Sequence, residues 1–315
     1  MTGRPDRRRS PLVLLLSSLV LFLISTTSAT GQAVYGSVRG TITDASGGVL
    51  PGVSVTITSR DRNTSDTVVT DAEGVYHKER LLPGVYEIKT DLQGFKQAIV
   101  SNVVVGVDAQ SNADFSLSPG AISESVEVTA TSPLLKTDRA DVSTRFDTKE
   151  LTELPVLDRN FTKFILLTPG AQQLGWQHAT AENPQGSTQT QVNGQHFSGT
   201  GYQLDGTENR DPILGIIVVN PNLESIGETK ITSQNYDAEF GQATAGVVSV
   251  QTKSGSNTVR GSGFEFFQNE ALQARNPFTQ ARPDPTTGKF IPDSKRNQFG
   301  GSVGGPIIQN NWFFF

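Results

Sequence analysis

Apolar and polar positions alternate with a period of two from Val34 to Leu117. Val38, Gly40 and Ile42 fall on one side of the alternation, as do Val53, Val55 and Ile57. Val85-Tyr86-Glu87-Ile88 and the run Ile99 to Val107 repeat the pattern. Between these runs lie Asp44-Ala45-Ser46-Gly47-Gly48, Pro51-Gly52, Asp71-Ala72-Glu73-Gly74, Pro83-Gly84 and Gly94. Glycine tolerates positive φ and proline presets φ near −65°, so each cluster marks a turn. About seven short strands at this spacing predict a small β-sandwich without a helix.

The texture changes after Pro119-Gly120. Ala121 to Ala130 is a short alternating segment closed by Ser132-Pro133, with Val126 and Val128 on one face and Glu127 and Thr129 on the other. Its free backbone groups suit it to add as a strand to another protein's sheet; an ordinary linker or a last sandwich strand is the plainer reading. Farther on, Thr148-Lys149-Glu150-Leu151 opens a helix with Leu151 and Leu154 on one face, stopped by Pro155. Arg159 to Leu167 predicts a second helix ended by Pro169-Gly170, and the Gln/Thr/Gly-rich stretch 171–191 predicts loop. Strands are expected at 191–193, 202–205, 226–231 and 246–252, which makes residues 136–258 an α+β module.

Composition narrows the setting. The 315 residues carry a net charge of −5, and the first 29 hold four arginines and one aspartate, so their loss leaves −8. A chain this acidic has no charge-driven reason to hold nucleic acid. Basic residues, the apolar run Leu12 to Ile24, and Thr27-Ser28-Ala29 form the three parts of an export signal, residues 1–29, cleaved after Ala29 or Ala33. An exported chain with no cysteine is not a disulfide scaffold. With no later segment apolar enough for a spanning helix, membrane entry would be through strands.

Two resemblances follow from longer motifs. Gly36-x-Val38, Asp44, Gly48, Pro51-Gly52-Val53-x-Val55, Thr70-Asp71-x-x-Gly74-x-Tyr76, Leu82-Pro83-Gly84-x-Tyr86 and Gly94-Phe95 resemble the carboxypeptidase regulatory-like domain, a transthyretin-like sandwich, here residues 33–118. Leu154-Pro155, Arg159-Asn160-Phe161, Leu166-x-Thr168-Pro169-Gly170, Val192-Asn193-Gly194-Gln195, Tyr202-x-Leu204-Asp205-Gly206 and Ile226-x-Glu228 are similar to the plug domain of TonB-dependent outer-membrane receptors. Asn235 to Gly241 and Thr252 to Asn257 extend that match. Arg260 to Asn269, Arg296 to Pro306 and the terminal aromatic run look like the first barrel strands of the Oar-like branch, residues 259–315.

The resemblance implies a mainly β chain: a transthyretin-like sandwich, an α+β plug, then the opening strands of a truncated transmembrane barrel that would meet outer-membrane lipid. The 57 residues from 259 onward suffice for roughly three strands, against about 22 in a plugged transporter barrel. The chain stops inside Trp312-Phe313-Phe314-Phe315, and so reads as the front of something longer. The resemblance also implies that linker 119–135 carries a Ton box, Glu124, Ser125, Val126, Glu127, Val128, Thr129 and Ala130, which pairs with the C-terminal domain of TonB. A small solute of unknown identity would meet a plug loop within Gln191–Asp211, at Asn193, Gln195, Tyr202, Asp205, Asn209 and Arg210. The sandwich would lie in the periplasm and the barrel in the outer membrane. The alternative is a secreted or periplasmic β-sandwich that binds a carbohydrate or a protein.

Catalytic constellations are absent from the sequence, and no enzyme, cofactor or metal is expected. Gly300-Gly301-Ser302-Val303-Gly304 matches a nucleophile elbow, but Gly305-Pro306 follows it and no histidine lies downstream. His77, His178 and His196 lie far apart, and Asp205 to Asp211 lacks the spacing of a calcium loop.

Overall fold

The computed structural model describes residues 35–120, 125–129, 140–156, 159–174, 188–278 and 280–315. The export signal, Glu124 and Ala130 of the candidate Ton box, and linker residues 121–124 and 130–135 lie outside the described residues.

The sandwich is built from eight strands of its own. One sheet holds β1 (Gly36–Asp44) flanked by β4 (Val75–Leu81) and β7 (Gln110–Asn112), with β8 (Phe115–Leu117) pairing the far half of β1. The other runs β3 (Ser65–Val69), β2 (Ser54–Ser59), β5 (Gly84–Asp91) and β6 (Gln97–Val105). A ninth strand, β9 (Ser125–Thr129), completes this second sheet by pairing parallel with β6. The predicted alternation is the burial pattern: Val38, Ile42, Val55, Ile57, Ile88 and Val100 are all within the core.

The turns work as their residues dictate. The Asp44 carboxylate accepts from the Ser46 and Gly48 amides, both at 2.8 Å, and Asp71 accepts from Val75 at 2.8 Å. Gly74 has φ 72°, and a Cβ there would lie 2.8 Å from the Ile42 carbonyl oxygen, so the turn requires glycine. Tyr76 crosses the core and donates its hydroxyl to the Ala113 carbonyl at 2.6 Å. Burial pushes its ionisation far above the usual tyrosine range.

The middle module is a five-stranded sheet in the order β10 (Val142–Asp147), β15 (Ile226–Gln234), β16 (Gly246–Thr252), β13 (Thr200–Leu204) and β14 (Thr207–Glu208). Only the β13–β16 pair is parallel. Helix α1 (Thr148–Glu153) starts in a capping box. The Asp147 carboxylate accepts from the Glu150 amide at 2.8 Å, and the Glu150 carboxylate accepts from the Asp147 amide at 3.0 Å. Leu151 is fully buried, but Leu154 is 39% exposed, because the helix ends at Glu153 and Leu154 has already turned to extended backbone. The second predicted helix is a 3₁₀ segment, Phe161–Leu167, capped by Asn160. Stretch 171–191, read as loop, instead carries β11 (Ala171–Gln173) and the start of β12 (Thr190–Val192), which pair antiparallel.

The chain then forms a three-stranded antiparallel sheet of β17 (Arg260–Asn269), β18 (Lys295–Ile308) and β19 (Trp312–Phe314). It is an open sheet, part of a barrel and not a closed one. Phe267, Phe299 and Trp312 are exposed on it, as lipid-directed aromatics would be. No helix among the described residues is long and apolar enough to cross a membrane, which says nothing of strands.

Candidate partner and solute interfaces

Of the Ton-box candidates, Ser125 to Thr129 form β9. Its register against β6 runs from Gln97 opposite Ser125 to Ser101 opposite Thr129. The segment is therefore the edge strand of the sandwich sheet rather than an isolated tether, and among the described residues no strand pairs with its other edge.

β6 leads directly into a joint with the middle module. Val107 donates its amide to the Glu228 carboxylate, at 3.2 Å to each oxygen. Lys230 on β15, with 1% of its side chain exposed, donates to the Asp108 carbonyl at 2.8 Å and to the Asp108 carboxylate at 2.5 Å. Asp141, just ahead of β10, lies 3.2 Å from the same ammonium. The buried cation is thus shared by one carboxylate from the sandwich and one from the middle module. Burial pushes Glu228 above the usual carboxylate range, with Arg145 and the Val107 amide working against it.

A second contact lies at the β2–β3 turn. Asn257 donates its amide to the Asp61 carbonyl at 2.9 Å and its side chain to the Arg62 carbonyl at 2.8 Å. Between the two contacts opens a cleft of about 690 Å³, lined by Arg62, Lys149, Gln251, Lys253 and Arg260 among others. Burial lowers the Lys253 ammonium below its ordinary range, partly offset by Glu224.

The predicted solute-facing residues do not form one surface. Asn193 and Gln195 are exposed at the end of the middle sheet where β13 and β16 begin. Asp205 is exposed at the opposite end, where its carboxylate accepts from the Thr252 amide and hydroxyl, each at 2.8 Å. Tyr202 and Asn209 are buried. Tyr202 is 5% exposed because β13 is an interior strand, between β16 and β14, and its ring joins the core. Asn209 is 6% exposed and ties down its own loop, its side chain donating to the Val219 carbonyl at 2.7 Å and accepting from the Val219 amide at 2.8 Å. Arg210 folds back toward the Asn193 end, donating to the Ser198 carbonyl at 2.9 Å and the Gln242 side chain at 2.6 Å.

Sequence reading missed the loop that follows. Residues 211–219 project Ile213, 88% exposed, and Leu214, and the Asp211 carboxylate holds the tip by accepting from both their amides. The signal was available in Ile213-Leu214-Gly215-Ile216-Ile217-Val218-Val219, an apolar run that belongs to no named strand and bridges back from Ile217 to Arg210. Arg159 was also unassigned. Outside its 3₁₀ segment and at φ 53°, it forms an ion pair with Glu224 and stacks 3.8 Å from the Phe266 ring centroid, which ties the middle module to β17.

Residues 37–118 match the carboxypeptidase regulatory-like domain, and residues 251–315 match an outer membrane beta barrel domain. The TonB-dependent transporter Oar of Myxococcus xanthus is 27% identical over 290 residues, which are 89% of this chain and 26% of that protein. Over most of its length the chain is similar to a TonB-dependent transporter. Among solved structures, the siderophore receptor PirA from Acinetobacter baumannii covers 53% of this chain and 22% of its own, at 19% identity and a TM-score of 0.37. The outer membrane transporter YddB from Escherichia coli covers 52% and 24%, at 14% identity and a TM-score of 0.39. The barrel-domain match covers residues 251–315 at the end of the chain, and the chain spans about a quarter of the transporter it resembles.

Proposed function

We propose that this chain is the periplasmic and gating portion of a TonB-dependent transporter that takes up a scarce small solute through an outer-membrane barrel. The observation that carries this reading is the order of parts. A sandwich, a mixed five-stranded module and the opening strands of a barrel follow one another, and 27% identity to a transporter runs across 89% of the chain. In this reading, residues 136–258 are the plug, residues 33–118 are the periplasmic sandwich, and Glu124 to Ala130 are the Ton box. The solute side is the end of the plug sheet that bears Asn193, Gln195, Arg210 and the apolar tip Ile213-Leu214, while Asp205 braces the opposite end.

The test is an immunoblot of fractionated native cells with antibody raised against residues 136–258. An outer-membrane band that changes mobility on boiling is the expected result, since closed barrels resist unfolding without heat. A band confined to the soluble periplasmic fraction would overturn the transporter reading in favour of a soluble sandwich that binds carbohydrate or protein.

A further inference from the structure

β9 is already a sheet strand. An isolated Ton box would have both backbone edges free, yet here residues 125–129 pair with β6 over five positions. Alternate N–H and C=O groups of such a strand face its neighbour, and the others face outward. Adding a strand to the outer edge keeps the β6 pairing and satisfies the outward groups. Removing β9 instead exposes the five positions of β6 that it covers, Gln97 to Ser101, a standing aggregation liability.

The route beyond β6 favours the same outcome. β6 ends at Val105, and the next residues are the joint: Val107 on Glu228, and Asp108 on Lys230. A pull on β9 that leaves it paired loads β6 and then β15, the second strand of the middle sheet. A pull on a released β9 would bypass the sandwich and reach the middle module only along the connecting chain.

On the reading of residues 124–130 as the Ton box, we propose that the TonB strand joins β9 in place, as a sixth strand of the sandwich sheet. The sandwich is then the part through which the load enters the plug. The occupant is an extended strand whose main-chain groups supply the affinity.

The chain has no cysteine, so a staple can be added without background. Gln97→Cys with Ser125→Cys locks one end of the β6–β9 register, and Ser101→Cys with Thr129→Cys locks the other. Directly opposed strand positions suit disulfide geometry. Binding of a purified TonB C-terminal domain to the full chain is measured with each staple oxidised and reduced. Equal affinity in both states is the expected result, together with loss of binding in Val126→Pro, which removes an amide and distorts the strand. Binding only after reduction would show that β9 must leave β6; that overturns the in-place proposal and leaves the Ton-box reading standing. No binding by the unstapled wild-type chain would remove the Ton-box reading, and this proposal with it. Self-association of the chain that Val126→Pro abolishes would assign the edge to a second copy and would also overturn the proposal.

Discussion

Glu228 holds a charge where water is scarce. Its carboxylate receives the Val107 amide and lies 3.8 Å from the Arg145 guanidinium, yet burial outweighs both and raises its pKa. The folded chain therefore binds this proton more tightly than the unfolded chain does. Stability from that preference is present below the unfolded carboxylate value of about 4.3 and is lost as pH rises through the folded one. Glu228→Gln keeps an acceptor for Val107 and removes the titration. Its stability relative to wild type should therefore rise as pH increases from about 4.3 toward neutrality, then level off. Urea unfolding at a series of pH values measures this, and a difference independent of pH would refute it.

At the scale of elements, close backbone approach sets the strictest demands. Gly40 lies in the middle of β1, where a Cβ would stand 1.9 Å from the Ala113 carbonyl oxygen. Backbone cannot yield as a side-chain tip can, so Gly40→Ala should cost about 3 kcal/mol, the upper range for overpacking. Chemical denaturation would read this as a lower midpoint, and a change within error would mean that β1 and the Ala113 segment can part. That crossing was not legible in the sequence, but the turns were, because glycine and aspartate answer to local geometry: Asp44, Asp71 and Gly74 announce their turns without help from the rest of the fold. The membership of β9 was not legible. A five-residue alternating segment is equally at home in a linker, in a partner's sheet or beside β6, and only the long-range parallel pairing decides among them. The same limit explains Tyr202 and Asn209. Tyr202 falls in an expected strand whose buried face was not readable, and Asn209 sits in polar, loop-like sequence; one lies in the interior strand β13 and the other fastens the chain just beyond β14.

Across the whole molecule, the order of modules was readable from long motifs, whereas the joint between them was not. Lys230 falls in β15 with Thr229, Ile231 and Thr232 all buried beside it, so alternation gave it no solvent face and no hint of a partner more than a hundred residues away. That partner makes two sequence modules one thermodynamic body. Lys230→Met keeps the length and apolar stem of the side chain but leaves the Asp108 and Asp141 carboxylates, 9% and 4% exposed, without their shared cation. Breaking a buried pair from one side costs about 3–5 kcal/mol. Most of that cost should fall on the interface, because the sandwich core around Val38, Ile57 and Ile88 and the middle core around Leu151, Phe164 and Ile231 are separate clusters. Wild type should therefore lose residues 37–118 and 142–252 in one urea transition, followed by hydrogen exchange resolved along the chain. Lys230→Met should split that transition in two, with Gly106 to Ala109 and the start of β10 becoming exchangeable before either core. A variant that unfolds in a single step at a lower midpoint would place the coupling elsewhere, with the Val107–Glu228 contact and the Asn257 contact to the β2–β3 turn among the bridges left. It would also leave the Lys230 contact without the load-bearing part proposed for it between β6 and β15.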